Sequence, residues 1–513
     1  MARSFPLSLS PARRRALASI AALPLAAAQA DDTAVDLRRL SAESPCFNID
    51  RVELTGAHAG GFGWLQRELD TVRGQCVGIG ALRTIKRVLD ARLLERGYTT
   101  SRVGFDAQDL SRGVLQVALH AGVVSALRVE SDGMAPPAAW SEVFAQANGA
   151  PFELRRLEQG IELAERLPSQ RVHVRIEPSA EPGGSVLVVE RAPGAARRLH
   201  GAVRLDNGGA QAQGRARVIA ALALDQPSWR NDQLTLAVSS NVHGVSPQHR
   251  AQSAALGYSV PWRGTLCEID WTTQRNARGV QARRSHFVSS SSVEQWRAQW
   301  QWPLARSAAQ RWRGHAALTH WHAHGRLNDL ELQVQRRDTD VVELGVDALQ
   351  LHGRGRWTWR AALREELGAP APGLAAVRAL RADTQRTARS GAWTTRWHAR
   401  AQLGRRGMPQ EERFAPGLPG FDSHQGPVAG SGAALQYELA RALPARGDWR
   451  VAAFVDIGGA RLAQLPELLA GAAVGVQARR GALSFELALA VPWRRVAGVG
   501  AAPVCSASVT AQF

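Results

Sequence analysis

From about residue 197 to the end, apolar and polar side chains alternate along the chain. Trp296, Ala298, Trp300 and Trp302 interleave with Gln295, Arg297, Gln299 and Gln301, and Trp393, Thr395, Trp397, Ala399, Ala401 and Leu403 with Thr394, Arg396, His398, Arg400 and Gln402. Trp357, Trp359, Ala361 and Leu363 against Arg356, Thr358 and Arg360 repeat the theme. A period of two is a strand with one greasy and one polar face. The last stretch, CSASVTAQF, obeys it too, with Cys505, Ala507, Val509, Ala511 and Phe513 on one side. A soluble domain ending this way would leave a large aromatic and a free sheet edge at its terminus. In a soluble sandwich the aromatic faces would pack on a second sheet; in a transmembrane barrel they face lipid while the arginines line a wet lumen, and pairing the last strand with the first removes the edge. Roughly 315 residues at about 20 per strand and turn accommodate about 16 strands.

Ahead of that region the periodicity is mixed. Residues 46–121 predict a strand at 47–54, helices near 64–72 and 82–96, and strands at 98–105 and 114–120. Residues 122–194 repeat the order, with a strand at 123–130, helices at 140–145 and 154–167, and strands at 172–177 and 185–190 around the turn Pro182-Gly183-Gly184. A unit repeated at this period is an array. The expected class is therefore an α+β pair followed by an all-β antiparallel barrel at 195–513.

Composition adds constraints. The 513 residues are 45% hydrophobic, which excludes a disordered chain. The net charge is +18, carried almost wholly by arginine, with Lys86 the only lysine. A GC-rich genome explains that bias; no basic block, zinc spacing or RNP-like aromatic run accompanies it, so a nucleic-acid partner is not expected. Arg13, Arg14 and Arg15 precede an apolar run at 16–27, and Ala28-Gln29-Ala30 has the form of a cleavage site, so residues 1–30 read as a signal peptide. No later segment supplies the roughly 20 apolar residues of a membrane helix. Export permits a disulfide, and Cys46 and Cys76 within one small module are expected to form it, two buried thiols being the alternative. His320, His322 and His324 share one face of a strand, but carboxylate or cysteine support is not evident, so a structural or lumen role is expected and no metal or other cofactor. Neither a nucleophile elbow nor a Walker loop nor a dinucleotide fingerprint occurs, and no enzyme is expected.

Several stretches resemble a known family. CFNIDRVELTG, GQCVG and ERGYTTSRVGFDAQDLSRGVLQVALHAG are similar to the first POTRA domain of the two-partner secretion transporters (TpsB; the ShlB/FhaC/HecB type) of the BamA-like superfamily, with Gly97, Tyr98, Gln108, Asp109 and Leu110 in the motif. The likeness continues through LPSQRVHVRIEPSAEPGGSVLVVE, RLDNGGAQAQG, YSVPWRG and the FVDIG of Phe454, Asp456 and Gly458. It implies an outer-membrane barrel with periplasmic POTRA domains that captures an unfolded adhesin- or haemolysin-like exoprotein and passes it to the surface; a barrel insertase, a degenerate paralogue and a diffusion channel are the alternatives. Lipid and the barrel-assembly machinery are further implied partners, the latter reading Phe513 as a signal. The resemblance assigns residues 404–432 to a loop folded into the barrel, whose tip in the family reads VRGF or VRGY and whose arginine reaches the Asp of the strand motif. Here the tip is LPGF: Gly417, Gly420 and Phe421 keep the turn chemistry, while Pro419 stands in the arginine position, and Phe414 precedes them on the same loop. Arg405, Arg406 or Arg413 is expected to meet Asp456 instead. Only residues 31–45 precede the first module, so a plug helix is expected to be absent or truncated.

Overall fold

The computed structural model describes residues 37–41, 43–130, 137–145, 148–209, 213–242, 248–281, 285–328, 330–370, 373–421, 427–465, 467–494 and 502–513. The expected signal peptide and residues 31–36 lie outside them. The chain divides into two units, Met1–Ala195 and Ala196–Phe513.

The first unit holds the two expected modules. In the first, Arg51–Thr55 lies parallel to Val114–His120, which pairs on its other side with Arg102–Gly104. Helix Ile79–Glu95 buries Ala81, Ile85, Leu89 and Leu93, four residues at a spacing of four that make one face, against Val52, Val103, Leu115 and Val117. Cys46 and Cys76 are bonded, as expected, with Cα atoms 5.4 Å apart. The short pair Phe47–Asn48 and Cys76–Val77 forms beside that link. The expected strand at 47–54 is accordingly interrupted, Ile49 turning into the core. The strand expected at 98–105 shrinks to Arg102–Gly104, because Gly97, at φ +90°, ends the preceding helix and Tyr98 donates its N–H back to the carbonyl of Leu93.

The second module orders its strands Val123–Glu130, Gly184–Pro193, Gln170–Pro178 under helices Pro137–Phe144 and Leu154–Glu165. Trp140, Phe144, Phe152, Leu167 and Leu187 fill its core.

The second unit is the expected closed antiparallel barrel of 16 strands. Its first strand, Leu199–Asp206, pairs with its last, Val504–Gln512, in register from Ala202↔Gln512 to Asp206↔Ser508. Gly201 and Phe513 exchange both backbone hydrogen bonds, at 2.9 and 3.0 Å, so the terminal aromatic is a ladder residue and the edge is gone. The side chain of Asn207 extends this seam, donating to the carbonyl of Cys505 at 2.8 Å and accepting from the N–H of Ala507 at 2.9 Å. Alternation sorts the wall as expected: Leu318, Leu344, Trp296 and Trp397 are exposed on the outside, while Glu343, Arg364 and His315 are buried inside.

Candidate functional site: the loop folded into the barrel

The segment between strands Trp393–Gly404 and Gly432–Leu443 enters the barrel through a narrow neck. The hydroxyl of Ser431 accepts from the N–H of Gly404 at 3.0 Å and donates to its carbonyl at 2.8 Å. Beyond the neck, a single turn at Gln410–Glu412 points two carboxylates at the wall. Glu412, side chain 3% exposed, receives both arms of Arg364: Nη2 reaches Oε1 at 2.7 Å and Nε reaches Oε2 at 3.1 Å. Arg381 Nη2 adds 2.8 Å to Oε2 and 2.9 Å to the Glu412 carbonyl, which also accepts from Gln402 Nε2 at 2.9 Å. On its far side Arg364 contacts Glu343, which Arg297 reaches at 2.9 Å and beside which His315 lies at 3.2 Å. His315 continues to Asp347 at 2.9 Å, and Asp347 to Arg360 at 2.8 Å. The neighbouring Glu411 pairs with Arg337. A chain of alternating charge thus runs from the loop across several strands, and buried charges persist only when matched in this way.

Past that turn the contacts become apolar. Phe414 exchanges backbone hydrogen bonds with Ala429 and packs with Leu418, Phe421, Ala434, Ala460, Leu462 and Leu469. The tip turns through Gly417 and Gly420, at φ +60° and +76°. Gln436 Nε2 donates to the Gly417 carbonyl at 2.8 Å. Wall and tip match in shape: a Cβ on Gly458 would stand 2.9 Å from Leu418 Cδ2 and 3.3 Å from Pro419 Cδ, and one on Gly471 would collide with the Pro419 carbonyl oxygen. Phe414, Pro419 and Phe421 are therefore gathered at the strand Trp449–Leu462 that carries Phe454, Asp456 and Gly458, while Gly417 meets Gln436 and Gly420 lies against Val491 and Pro492. That strand faces inward at all three residues.

The arginines named for Asp456 go elsewhere, which corrects that expectation. Arg413 closes back on its own turn, Nε donating to the Met408 carbonyl at 2.7 Å, and Arg405 and Arg406 sit at the neck. No ion pair joins any of the three to Asp456 among the described residues. The latch instead has the opposite polarity, with the carboxylate on the loop and the guanidinium groups on the wall. The adjacent acids of the EERF stretch in so basic a chain are the only sequence signal for it.

The three histidines are a second correction. His320, His322 and His324 share the parity of the exposed Leu318 and Trp312 and so lie on the outer face, not in the lumen. Carboxylates do accompany them: Asp340 meets His320 at 2.9 Å and Asp338 meets His322 at 2.6 Å. No group able to hold a metal occurs among the described residues.

In the first module the named motif residues have local work. Gln108 pairs with the backbone of Gln116 at 2.8 Å in both directions, serving as a one-residue strand. Asp109 caps the turn Leu110–Arg112 through the N–H and hydroxyl of Ser111, which hold its carboxyl below the usual range. Tyr98 meets Phe62 in a tilted pair, ring centroids 4.7 Å apart, and burial pushes its phenol up. The segment before the disulfide is fastened here too. Leu37 is buried, and Glu43 accepts from the N–H groups of Gly78, Gly80 and Ala81 at 2.9, 2.8 and 2.7 Å, capping helix Ile79–Glu95 from outside.

A closed barrel with an occupied lumen, preceded by paired α/β modules, defines an outer-membrane transporter with POTRA domains. The family model of the haemolysin secretion/activation proteins ShlB/FhaC/HecB matches residues 183–478, and POTRA models match 47–122 and 123–178. The chain belongs to that family, with its barrel in the outer membrane and its POTRA domains in the periplasm. It is 26% identical over 344 residues to the outer membrane transporter CdiB-2 of Burkholderia pseudomallei, across 64% of this chain and 58% of that protein. It is 24% identical over 303 residues to the hemolysin transporter HpmB of Proteus mirabilis, across 58% of this chain and 52% of that protein. The chain thus spans a little over half the length of these curated relatives. Solved structures of CdiB from Escherichia coli and Acinetobacter baumannii share the fold, with TM-scores of 0.79 and 0.81 at 21% and 19% identity, covering 98% and 93% of this chain and 99% and 92% of theirs.

Proposed function

We propose that this protein is the translocation pore of a two-partner secretion system. Its modules, taken as residues 46–121 and 122–194, capture an unfolded exoprotein in the periplasm, and the barrel, residues 195–513, passes it to the surface. The observation that carries the reading is the loop inside the lumen, held by ion pairs and a shape-matched tip, with no covalent tie. Such a contact can dissolve when a chain enters, because the freed charges are re-solvated in a wet lumen. Capture requires only backbone chemistry. Strand Gln170–Pro178 forms one edge of the second sheet, and an extended segment can add beside it. Folding of the exoprotein outside then prevents its return. The tip residues and Asp456 act in this reading as the inner gate, and Phe513 as the signal read by the barrel-assembly machinery.

Deleting the gene from its host and comparing surface and medium proteins tests the assignment. One large exoprotein is expected to vanish from the surface and to return on complementation. An unchanged exoproteome overturns the assignment.

A further inference from the structure

Three lumen arginines, Arg364, Arg381 and Arg396, are matched with carboxylates, pairing with Glu343, Glu412 and Glu438. Three arginines on the outer face are not. Arg386, Arg441 and Arg480 make no ion pair among the described residues. Each lies directly opposite a tryptophan on the neighbouring strand: Trp357↔Arg386, Trp393↔Arg441 and Trp449↔Arg480. The guanidinium carbons stand 5.8, 5.2 and 5.8 Å from the ring centroids. The pairs fall on strand couples 355–367 with 378–390, 393–404 with 432–443, and 449–462 with 469–480, so the same device recurs every second strand.

All three pairs sit at one level. Trp393 and Trp449 begin their strands, Trp357 lies two residues into its own, and the arginines lie within four residues of strand ends. The turns there are short, and the first barrel strand enters at the same end, directly after the POTRA modules. This is the periplasmic rim, where the wall meets the headgroups of the inner leaflet.

Resting on the outer-membrane assignment, we propose that this rim binds the phosphates of anionic glycerophospholipids through its tryptophan–arginine pairs. An indole settles at the interface between acyl chains and headgroups. A guanidinium over its face keeps its charge and its edge N–H groups, which fit a phosphate in a fork. Lipid is the occupant that charge selects: cations without carboxylates, at the depth of an anionic headgroup.

The test uses the full chain in mixed micelles holding equal amounts of phosphatidylglycerol and phosphatidylethanolamine, with retained lipid counted by native mass spectrometry. The wild type is expected to keep phosphatidylglycerol in preference. The triple variant Arg386→Gln, Arg441→Gln, Arg480→Gln is expected to lose roughly fivefold in retention for each arginine removed. Heat-modifiable migration of the variant reports that the barrel is still folded. Arg446→Gln, in the turn before Trp449 and over no ring, is expected to change little. Equal retention of both lipids by the wild type, undiminished retention by the triple variant, or an equal loss in Arg446→Gln overturns the proposal.

Discussion

Replacing Glu412 should release the loop. The side chain is 3% exposed and accepts from Arg364, itself 4% exposed, through both carboxylate oxygens. Removing one member of a buried pair typically costs about 3–5 kcal/mol, because the remaining charge is left uncompensated. Arg364 keeps Glu343, and the Arg381 side chain, 33% exposed, can find water, so the low end applies. A loss of roughly 3 kcal/mol moves the balance between loop inside and loop displaced by about a hundredfold. In planar bilayers, single-channel recording of Glu412→Ala should show long conducting openings where the wild type is mostly closed. Heat-modifiable migration, which reports the barrel wall, should stay unchanged. Arg413→Gln is the internal control. Its side chain's described bond is to the Met408 carbonyl, and a bond of that kind is worth about 1 kcal/mol, or less than tenfold. If Glu412→Ala stays as closed as the wild type, or Arg413→Gln opens as readily, the ion-pair latch is not what holds the loop.

Three other outcomes follow from the same contacts. Cys76→Ser removes a link closing a loop of 30 residues, so denaturant unfolding of the first module, followed by the fluorescence of Trp64, should shift by roughly 3–4 kcal/mol. The Glu43 carboxyl is held below its ordinary value by the N–H groups of Ala81 and Gly80, so its clamp is in full force above the unfolded value and is lost as pH falls through the folded one; hydrogen-exchange protection at Gly80 and Ala81, taken relative to the intrinsic exchange rate at each pH, should fall from about pH 4.5 downward, and Glu43→Gln should flatten that dependence. Gly471→Val drives a side chain into the Pro419 carbonyl and should raise protease sensitivity of the loop in intact outer membranes, while Gly481→Ala, in an open turn, should not.

Much of this architecture is written in local pattern. A two-residue period marks the strands around Trp296, Trp357 and Trp393, and the same period in the run to Phe513 fits a strand paired within a closed sheet. The four-residue spacing of Ala81, Ile85, Leu89 and Leu93 marks a helix face, and two cysteines in one module find each other. What pattern does not carry is register. Whether Glu412 meets Arg364, or His322 meets Asp338, depends on how each strand is offset against the next, and an offset of one residue exchanges inside for outside. The alternation leaves the three histidines between a structural and a lumen role; the register puts them on the outer face, with Asp340 and Asp338 opposite His320 and His322. Arg413 lies just before Phe414 on the inward loop, which makes it a candidate partner for Asp456, but the turn Gln410–Glu412 sends its side chain back to Met408.

The two halves of the loop are held by different physics, and this bears on how it can move. At the neck side, Glu412 is bound by matched charges, whose attraction falls once water or a passing polar chain supplies alternative partners. At the tip, Phe414, Leu418 and Phe421 are bound by burial, and Pro419 lies against Gly458 and Gly471 through shape. A loop anchored this way does not yield uniformly. The charged segment has a route to re-solvation inside the lumen, whereas withdrawing the tip exposes three large apolar side chains together, at about 1.5–3 kcal/mol each. The tip is thus the costlier contact to break, and the ion-pair segment is where an entering exoprotein gains most by competing. Shape and burial at Pro419, Phe414 and Phe421, together with charge at Glu412, thus hold the two ends of the loop independently.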